Sequence, residues 1–275
     1  TGRKVHLRTQ TGEQTLTTAL LVVADGMRSA TREALGVGLD ERDYQQSAII
    51  ANVRVSQPHG GVAYERFTPN GPLALLPIDT HSMSLVWTLE PEAAEHLAHD
   101  STEAAFLARL QADFGWRLGR FEAVGERLVY PLTAVSAEQF AVERAVILGN
   151  AAHALHPVAG QGFNLALRDV AALAEALGAL ADSPNTVTDP GEPDRLQDYA
   201  RSRQSDYKRT FTFTDGLVRV FSNAFLPLVA ARNIGLTVLD LVPPARRLLL
   251  KQATGAAGNV PSLCQPESLS EEPKP

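Results

Sequence analysis

Two short apolar runs dominate the hydrophobic pattern of the chain. Leu20–Ala24 and Ala145–Leu148 contain only apolar, largely β-forming residues. Such runs are typical of parallel strands that are buried on both faces of a sheet. Each run ends in a turn with a glycine, Asp25-Gly26 or Gly149-Asn150, and a predicted helix follows further along. The pattern therefore predicts one α/β domain whose two segments are separated by an inserted domain.

The residues between these runs have a different pattern, in which apolar and polar positions alternate between turns rich in Pro, Gly and Asn. Alternation of this kind predicts antiparallel strands with one buried face. A helix is predicted over residues 91–114, with a break near Asp100-Ser101, and either of these two residues could cap a second helical piece. The predicted strands are Ser47–Val55, Val62–Thr68, Pro72–Ile78, Ser82–Leu89 and, after the helix, Arg127–Leu132.

Helical spacing dominates the last third of the chain. Apolar residues recur at helical intervals from Phe163 to Leu177, and helices are also predicted over residues 196–209 and the apolar residues 210–250. Residues 254–275 lack such a pattern, which predicts a disordered tail. The basic and apolar residues 246–251 leave two interpretations open, a patch that binds a membrane surface or a solvated helix end.

Composition and charge exclude several classes of function. The net charge is -6 and no basic stripe is present, which argues against a nucleic-acid-binding protein. No signal peptide or long uncharged apolar run is found, so the sequence predicts a cytoplasmic protein. The single cysteine, Cys264, cannot form an internal disulfide. His153 and His156 lie close in sequence without an evident third ligand, so no metal site is predicted.

The richest candidate site is the segment from Gly149 to Asp169. Small residues after a buried strand let a ligand approach the backbone closely. Gly160-Gln161-Gly162, at the start of a predicted helix, would present free backbone N–H groups. These groups and the helix dipole favour negative charge. A tight turn that needs glycine for its own geometry explains the glycines equally well.

The order of residues in this segment resembles the second FAD-binding motif of the aromatic-ring hydroxylases, the p-hydroxybenzoate hydroxylase group. The resemblance implies that Asn150 holds the ribityl chain of FAD, where the group generally has Asp, and that the later residues line the flavin. A second stretch, from Ala24 to Arg32, resembles the group's Asp-Gly motif, which contacts FAD and is implicated in nicotinamide binding. The cofactor-binding residues implied by both motifs are Asp25, Gly26, Arg32, Gly149, Asn150, Pro157, Gly160, Gln161, Gly162, Phe163 and Asn164.

The resemblance extends over about residues 1–250. Three segments, Gly149–His153, Gly71–Pro77 and Phe114–Gly119, look closest to the ubiquinone-biosynthesis branch, the 2-polyprenyl-6-methoxyphenol hydroxylases. The resemblance implies an α/β (α+β overall) fold, in which a partial FAD-binding Rossmann-like domain is interrupted by an antiparallel-sheet substrate domain and followed by helices. The predicted bounds are 1–40 for the first segment of the FAD-binding domain, 41–135 for the sheet domain, 136–182 for the FAD-binding domain continued, 183–253 for the helical region and 254–275 for the tail.

The activity implied by the resemblance is hydroxylation of a polyprenylated phenol with FAD, O₂ and NADH or NADPH. Two alternatives stay open: a hydroxylase of a small soluble aromatic compound, and a non-catalytic fragment or subunit of a membrane-associated biosynthetic complex. Peripheral contact with the inner membrane, contact with other ubiquinone-biosynthesis proteins and homo-oligomerisation are also left open. No residue is identified as catalytic.

The G-x-G-x-x-G fingerprint that holds the FAD pyrophosphate in this group does not occur in the chain. We therefore expect about 130 further residues, the size of a mononucleotide-binding half with its following segments, to precede the given sequence. The same reasoning predicts that these 275 residues alone are inactive.

Overall fold

The structure is a computed structural model, and it describes residues 2–178, 189–221, 242–245, 247, 251 and 260–265. Its contacts divide the chain into two units. Unit 1 comprises Thr1–Glu41, Val135–Thr212 and Pro244–Pro275. Unit 2 comprises Arg42–Ala134 and Phe213–Pro243.

Twelve strands and five α-helices have both of their ends within the described residues, and residues 243–245 are helical as well. The strands are β1 (Arg3–Thr9), β2 (Gly12–Thr18), β3 (Leu21–Val23), β4 (Leu39–Val55), β5 (Tyr64–Thr68), β6 (Gly71–Pro77), β7 (Ser82–Leu89), β8 (Phe121–Val124), β9 (Leu128–Ala137), β10 (Ala141–Val142), β11 (Ala145–Ile147) and β12 (His153–Ala154). The helices are α1 (Ala30–Ala34), α2 (Pro91–Glu95), α3 (Glu103–Phe114), α4 (Gln161–Gly178) and α5 (Pro193–Phe221).

The two apolar runs of the sequence form the centre of unit 1. Strands β3 and β11 pair in parallel, with Val23 opposite Ile147, and β10 pairs antiparallel on the other side of β11. All three residues of β11 are buried, which is why that run contains no polar residue. The parallel orientation expected of these two runs is therefore confirmed, but burial on both faces holds for β11 and not for β3, in which Val22 is 44% exposed. Strands β1 and β2 form a separate antiparallel hairpin.

Unit 2 is built on an antiparallel sheet with the strand order β9-β4-β7-β6-β5, and β8 also pairs with β4. One face of the sheet packs on α3. Trp87 of β7 meets Phe106 of α3 edge-on, with ring centroids 5.7 Å apart. Ile49, Leu85 and Leu110 are fully buried beside them. Alternation of buried and exposed residues along β4 and β7 follows from this one-sided packing.

The helix predicted over residues 91–114 is interrupted as expected, but the residue that caps its second piece differs. A π-helical turn occupies His96–Asp100, and Thr102, not Asp100 or Ser101, is the N-cap of α3. The Thr102 hydroxyl accepts a hydrogen bond from the Ala105 N–H at 3.2 Å. The Ser101 hydroxyl donates to the carbonyl of Leu97 and accepts from Arg127 Nη1 at 3.2 Å instead.

The C-terminal region is helical where it is described, as expected. It contains one long helix, α5, whose residues are divided between the two units, and residues 243–245 are helical as well. Residues 260–265 fall within the predicted disordered tail, yet they contain a 3-10 turn, and the Ser262 hydroxyl donates to the Glu175 carboxylate of α4 at 2.6 Å. The rest of the tail, and most of residues 222–253 including the candidate membrane patch, lies outside the described residues. Where the chain is described, no helix is both long and apolar enough to cross a membrane.

Candidate functional site

The turn after β11 places the first group of candidate residues. Gly149 begins a 3-10 turn with a φ of +59°, a conformation that glycine adopts without strain. Its N–H donates to the Asp169 carboxylate of α4 at 3.0 Å. Gly149 and Ala151 are buried, whereas Asn150 between them is exposed. The turn thus presents the Asn150 side chain outward from a rigid, small-residue support.

The second group lies where α4 begins. Gly160 has a φ of +59° and turns the chain from Pro157 into the helix. Gly162 is in the first turn, and a side chain added there would meet no atom within 4 Å. The first N–H groups of a helix have no partner within it and carry the positive end of its dipole. The start of α4 is therefore an open surface that can bind a negatively charged group.

The residues that follow Gly162 differ in exposure. Phe163 is 73% exposed, an unusual position for a large aromatic residue, and Asn164 is half-buried. Gln161 is buried, so its side chain belongs to the interior of unit 1. Phe163 and Asn164 are therefore available to a ligand from the outside, whereas Gln161 can offer it mainly its backbone.

The Asp-Gly turn after β3 forms the third group. The Asp25 carboxylate accepts hydrogen bonds from the Ser29 hydroxyl and from the Thr31 N–H, the latter at 3.2 Å. Burial alone would raise the pKa of Asp25, but these hydrogen bonds outweigh it and hold the pKa below its usual value. Ser29 also caps α1 by accepting from the Arg32 N–H at 2.9 Å. Asp25 thus fixes the turn at the end of the parallel strand.

Arg32 joins the Asp25 turn to the Gly149 turn. Its guanidinium is buried and donates to the carbonyls of Met27 at 3.0 Å and Ala151 at 3.1 Å. The two loops that the sequence placed far apart therefore lie side by side in unit 1. Both hydrogen bonds come from one guanidinium nitrogen, Nη1, so Arg32 holds the two turns together. The direct cofactor contact that the sequence motif implies for Arg32 stays a prediction.

The two histidines of the segment are interior residues. His153 is 1% exposed, and its Nε2 lies 2.6 Å from the Asp169 carboxylate. Burial lowers the pKa of His156 to about 4, so its ring is neutral near pH 7 and its Nδ1 accepts from the Val158 N–H. Within the described ranges no group of three or more side chains is placed to hold a metal ion.

A buried charged cluster beneath the site was not found from the sequence. Asp169 and Arg168 of α4 face Arg203 and Asp206 of α5, and none of the four side chains is more than 6% exposed. One feature of the sequence could have indicated it: charged residues continue the helical spacing that the apolar residues at the start of α5 begin. The buried positions recur every three or four residues, at Leu196, Tyr199, Arg203, Asp206, Thr210 and Thr214.

These features define a class of protein. A buried parallel strand that ends in a small-residue turn, followed by a glycine-opened helix N-terminus, is the arrangement with which α/β proteins bind the charged groups of nucleotide cofactors. Comparison with known families identifies which cofactor this is. The chain belongs to the family described as FAD binding domain, whose model matches residues 2–214.

Curated relatives agree with this assignment. The chain is 40% identical over 242 residues to ubiquinone hydroxylase UbiL of Rhodospirillum rubrum, an alignment that covers 88% of this chain and 56% of that protein. It is 31% identical over 284 residues to the mitochondrial ubiquinone biosynthesis monooxygenase COQ6 of Homo sapiens, covering 91% of this chain and 60% of that protein. The chain therefore spans a little over half the length of these relatives.

Solved structures share the fold. The p-nitrophenol 4-monooxygenase PnpA of Pseudomonas putida DLL-E4 aligns with a TM-score of 0.70 and 20% identity, covering 93% of this chain and 64% of that one. The predictions of the family, of the mixed α/β fold and of FAD as the cofactor are thereby confirmed. The individual cofactor-binding residues and the choice between NADH and NADPH stay predictions.

Proposed function

We propose that the intact protein is a flavin-dependent monooxygenase that hydroxylates a prenylated phenol in ubiquinone biosynthesis, using FAD, O₂ and NADH or NADPH. The observation that supports the cofactor assignment is that both candidate flavin turns meet in unit 1, joined by Arg32. The substrate assignment is supported by the names of the relatives, which include a ubiquinone hydroxylase and a ubiquinone biosynthesis monooxygenase.

The residues present fit FAD. Gly162 leaves open space where a flat ring could approach the backbone, and the exposed Asn150 can hydrogen-bond a hydroxyl of the ribityl chain. The start of α4 would stabilise negative charge on a bound flavin. Bound FAD supplies the transfer of electrons from the nicotinamide to O₂, while the protein contributes orientation, electrostatics and exclusion of water.

The candidate residues divide by role. Asn150 and the backbone at the start of α4 around Gly162 would hold the cofactor directly, and Phe163 would cover it with an apolar surface. The Gly160 N–H instead closes the turn by donating to the carbonyl of Pro157 at 3.1 Å. Asp25 and Arg32 act from behind, because their polar atoms bind other groups of the protein. Unlike Asp, which the wider group has at this position, Asn150 brings no negative charge to the ribityl site.

A hydroxylation assay of the intact protein tests the proposal. The purified protein is supplied with FAD, NADPH or NADH and ¹⁸O₂, and is offered a long-chain prenylphenol or the same phenol without its tail. We expect one ¹⁸O atom in the product and a higher kcat/KM for the prenylated compound. A higher kcat/KM for the short phenol would instead indicate a soluble aromatic substrate. Absence of flavin from the protein, or oxidation of nicotinamide without any labelled product, would refute the monooxygenase proposal.

The proposed substrate also implies a location. A prenylated phenol resides in lipid, so we place the intact protein in the cytoplasm with peripheral contact to the inner membrane. Flotation with liposomes that contain anionic lipid should carry the protein upward, and high salt should reduce its binding if basic residues contribute. Equal flotation with and without liposomes would contradict this location.

A further inference from the structure

The carboxylate of Asp169 links the candidate flavin turn to the interior of unit 1. Its Oδ2 accepts from the Gly149 N–H at 3.0 Å and from His153 Nε2 at 2.6 Å. Gly149 and His153 are the first and last residues of the five-residue turn that presents Asn150. One oxygen atom therefore ties both ends of the turn to the middle of α4.

Helix α5 holds this carboxylate from the other side. An Nη atom of Arg203 lies 3.6 Å from Asp169 Oδ1 and 3.1 Å from an oxygen of Asp206. Asp206 also accepts from Arg168 Nε at 2.7 Å and from Arg209 at 2.6 Å. The two buried carboxylates are thus balanced by the two buried guanidinium groups of Arg168 and Arg203.

A contribution to the stability of the fold does not by itself explain why these charges are buried. Buried ion pairs of this kind are often no more stabilising than apolar residues of the same size, because desolvating the charges offsets their attraction. A network of buried charges and hydrogen bonds does, however, favour one geometry. In this cluster Asp169 Oδ2 is hydrogen-bonded to the turn that carries Asn150, whereas Asp169 Oδ1 faces Arg203 at 3.6 Å, beyond hydrogen-bond distance.

We infer that Asp169 is a positioning residue for FAD: through Gly149 and His153 it fixes the Asn150 turn against the start of α4, and Arg203 and Asp206 hold it in place. The inference rests on the proposed function, because it assumes that FAD binds at this turn. His153 transmits the constraint by donating from Nε2, while its ring packs on Tyr207 with centroids 5.9 Å apart.

Two substitutions of His153 separate the hydrogen bond from the packing. His153→Phe keeps a ring against Tyr207 but removes the donor to Asp169, whereas His153→Gln keeps a donor and removes the ring. FAD is stripped from the intact protein and titrated back with fluorescence quenching as the readout. We expect His153→Phe to weaken FAD binding roughly tenfold or more, because it leaves a buried carboxylate short of one charge-assisted hydrogen bond.

His153→Gln should restore the FAD dissociation constant to within about threefold of the wild type if the donor is what matters. Binding by His153→Phe that equals the wild type, or binding by His153→Gln as weak as that of His153→Phe, would overturn the inference. Wild-type protein that binds no FAD would refute the proposed function instead, so the two failures are distinguishable.

A double-mutant cycle tests whether Asp169 acts through the turn. FAD affinity is measured for Asp169→Asn, Asn150→Ala and the double variant, with Asp198→Asn on the exposed side of α5 as the matched control. Asp169→Asn should lower FAD affinity by a smaller factor when Asn150 has already been replaced. If Asp169 acts by positioning Asn150, it has no effect left to exert once the Asn150 side chain is gone. Additive losses would overturn the inference, and the control should bind FAD like the wild type.

Discussion

The two units differ in how they bury charge. Unit 2 packs its sheet on α3 through apolar side chains such as Ile49, Trp87 and Phe106, although it also buries polar residues, among them Thr88 and Asp215. Unit 1 has apolar clusters too, but between α4 and α5 it buries Arg168, Asp169, Arg203 and Asp206. The charged cluster contacts the candidate cofactor site through Asp169, whereas the apolar core fills the space between a sheet and α3.

This difference indicates what each interior contributes. Apolar burial stabilises a fold in proportion to area and tolerates many arrangements of similar volume. A buried charged cluster adds little net stability but penalises any arrangement that leaves one charge unpaired. We therefore expect substitutions in unit 2 to change stability alone, and substitutions in the charged cluster to change stability and FAD binding together.

The largest expected effect in unit 2 is that of Phe106→Ala. Removing a fully buried ring that contacts Trp87 should lower the free energy of unfolding by about 3–5 kcal/mol. Urea denaturation measures this loss, and FAD titration of the protein that stays folded should give an unchanged dissociation constant. A large loss of FAD affinity here would remove the distinction between the two interiors.

Asp206→Ala should lower the free energy of unfolding about as much as Phe106→Ala, and it should also weaken FAD binding. It leaves Arg168 and Arg203 buried without their carboxylate, which costs about 3–5 kcal/mol. Because Arg203 faces Asp169, FAD binding should weaken in parallel. On the same helix, Asp198→Ala breaks only an exposed pair with Arg201 and should change stability by no more than about 1 kcal/mol.

Acid should destabilise the loop before α4 through His156. Burial depresses the pKa of His156 from 6.5 to about 4, so between these values the unfolded chain binds a proton that the folded chain does not. The contribution of this group is therefore constant above pH 6.5 and is lost as the pH falls toward 4, by up to about 1.4 kcal/mol per pH unit. Denaturation at several pH values measures this. Between pH 4 and 6.5 the free energy of unfolding should depend less steeply on pH for His156→Asn, which keeps an acceptor for the Val158 N–H.

Substitutions of Asn150 should have the smallest effects and should act on the cofactor alone. Asn150 is exposed, so neither Asn150→Asp nor Asn150→Leu should disturb folding. Asn150→Leu should weaken FAD binding by about 1–3 kcal/mol. A ribityl hydroxyl would give up its hydrogen bond to water on binding and would find no partner in the leucine side chain. Asn150→Asp should be tolerated. If all three forms bind FAD equally well, Asn150 does not contact the ribityl chain.

The sequence predicted the strands of this protein better than its polar interior. Apolar runs and alternation are local signals, so β3, β7 and β11 were found within one or two residues. Short edge elements such as β8 and β10 were missed, because two to four residues carry little periodicity and form only when a neighbouring strand is present.

The candidate site shows the same division. Gly149, Gly160 and Asn164 belong to one contiguous motif and were predicted, but Arg203 and Asp206 were not. Their partners lie on another helix, and no local pattern states which charged side chains a fold will bury together. Arg32 stays a predicted cofactor contact, but its hydrogen bonds to two backbone carbonyls, which join the two turns, could not be predicted from the sequence.

The account depends most on FAD lying against the start of α4, and a pair of glycine variants tests this directly. In the described part of the chain, no atom lies within 4 Å of a Cβ added at Gly162 or Gly178, and neither glycine has a positive φ, so we expect Gly162→Val and Gly178→Val both to fold. FAD titration of the intact protein should show that Gly162→Val no longer binds the flavin, while Gly178→Val, at the far end of the same helix, binds it like the wild type. Unchanged FAD binding by Gly162→Val would contradict the account.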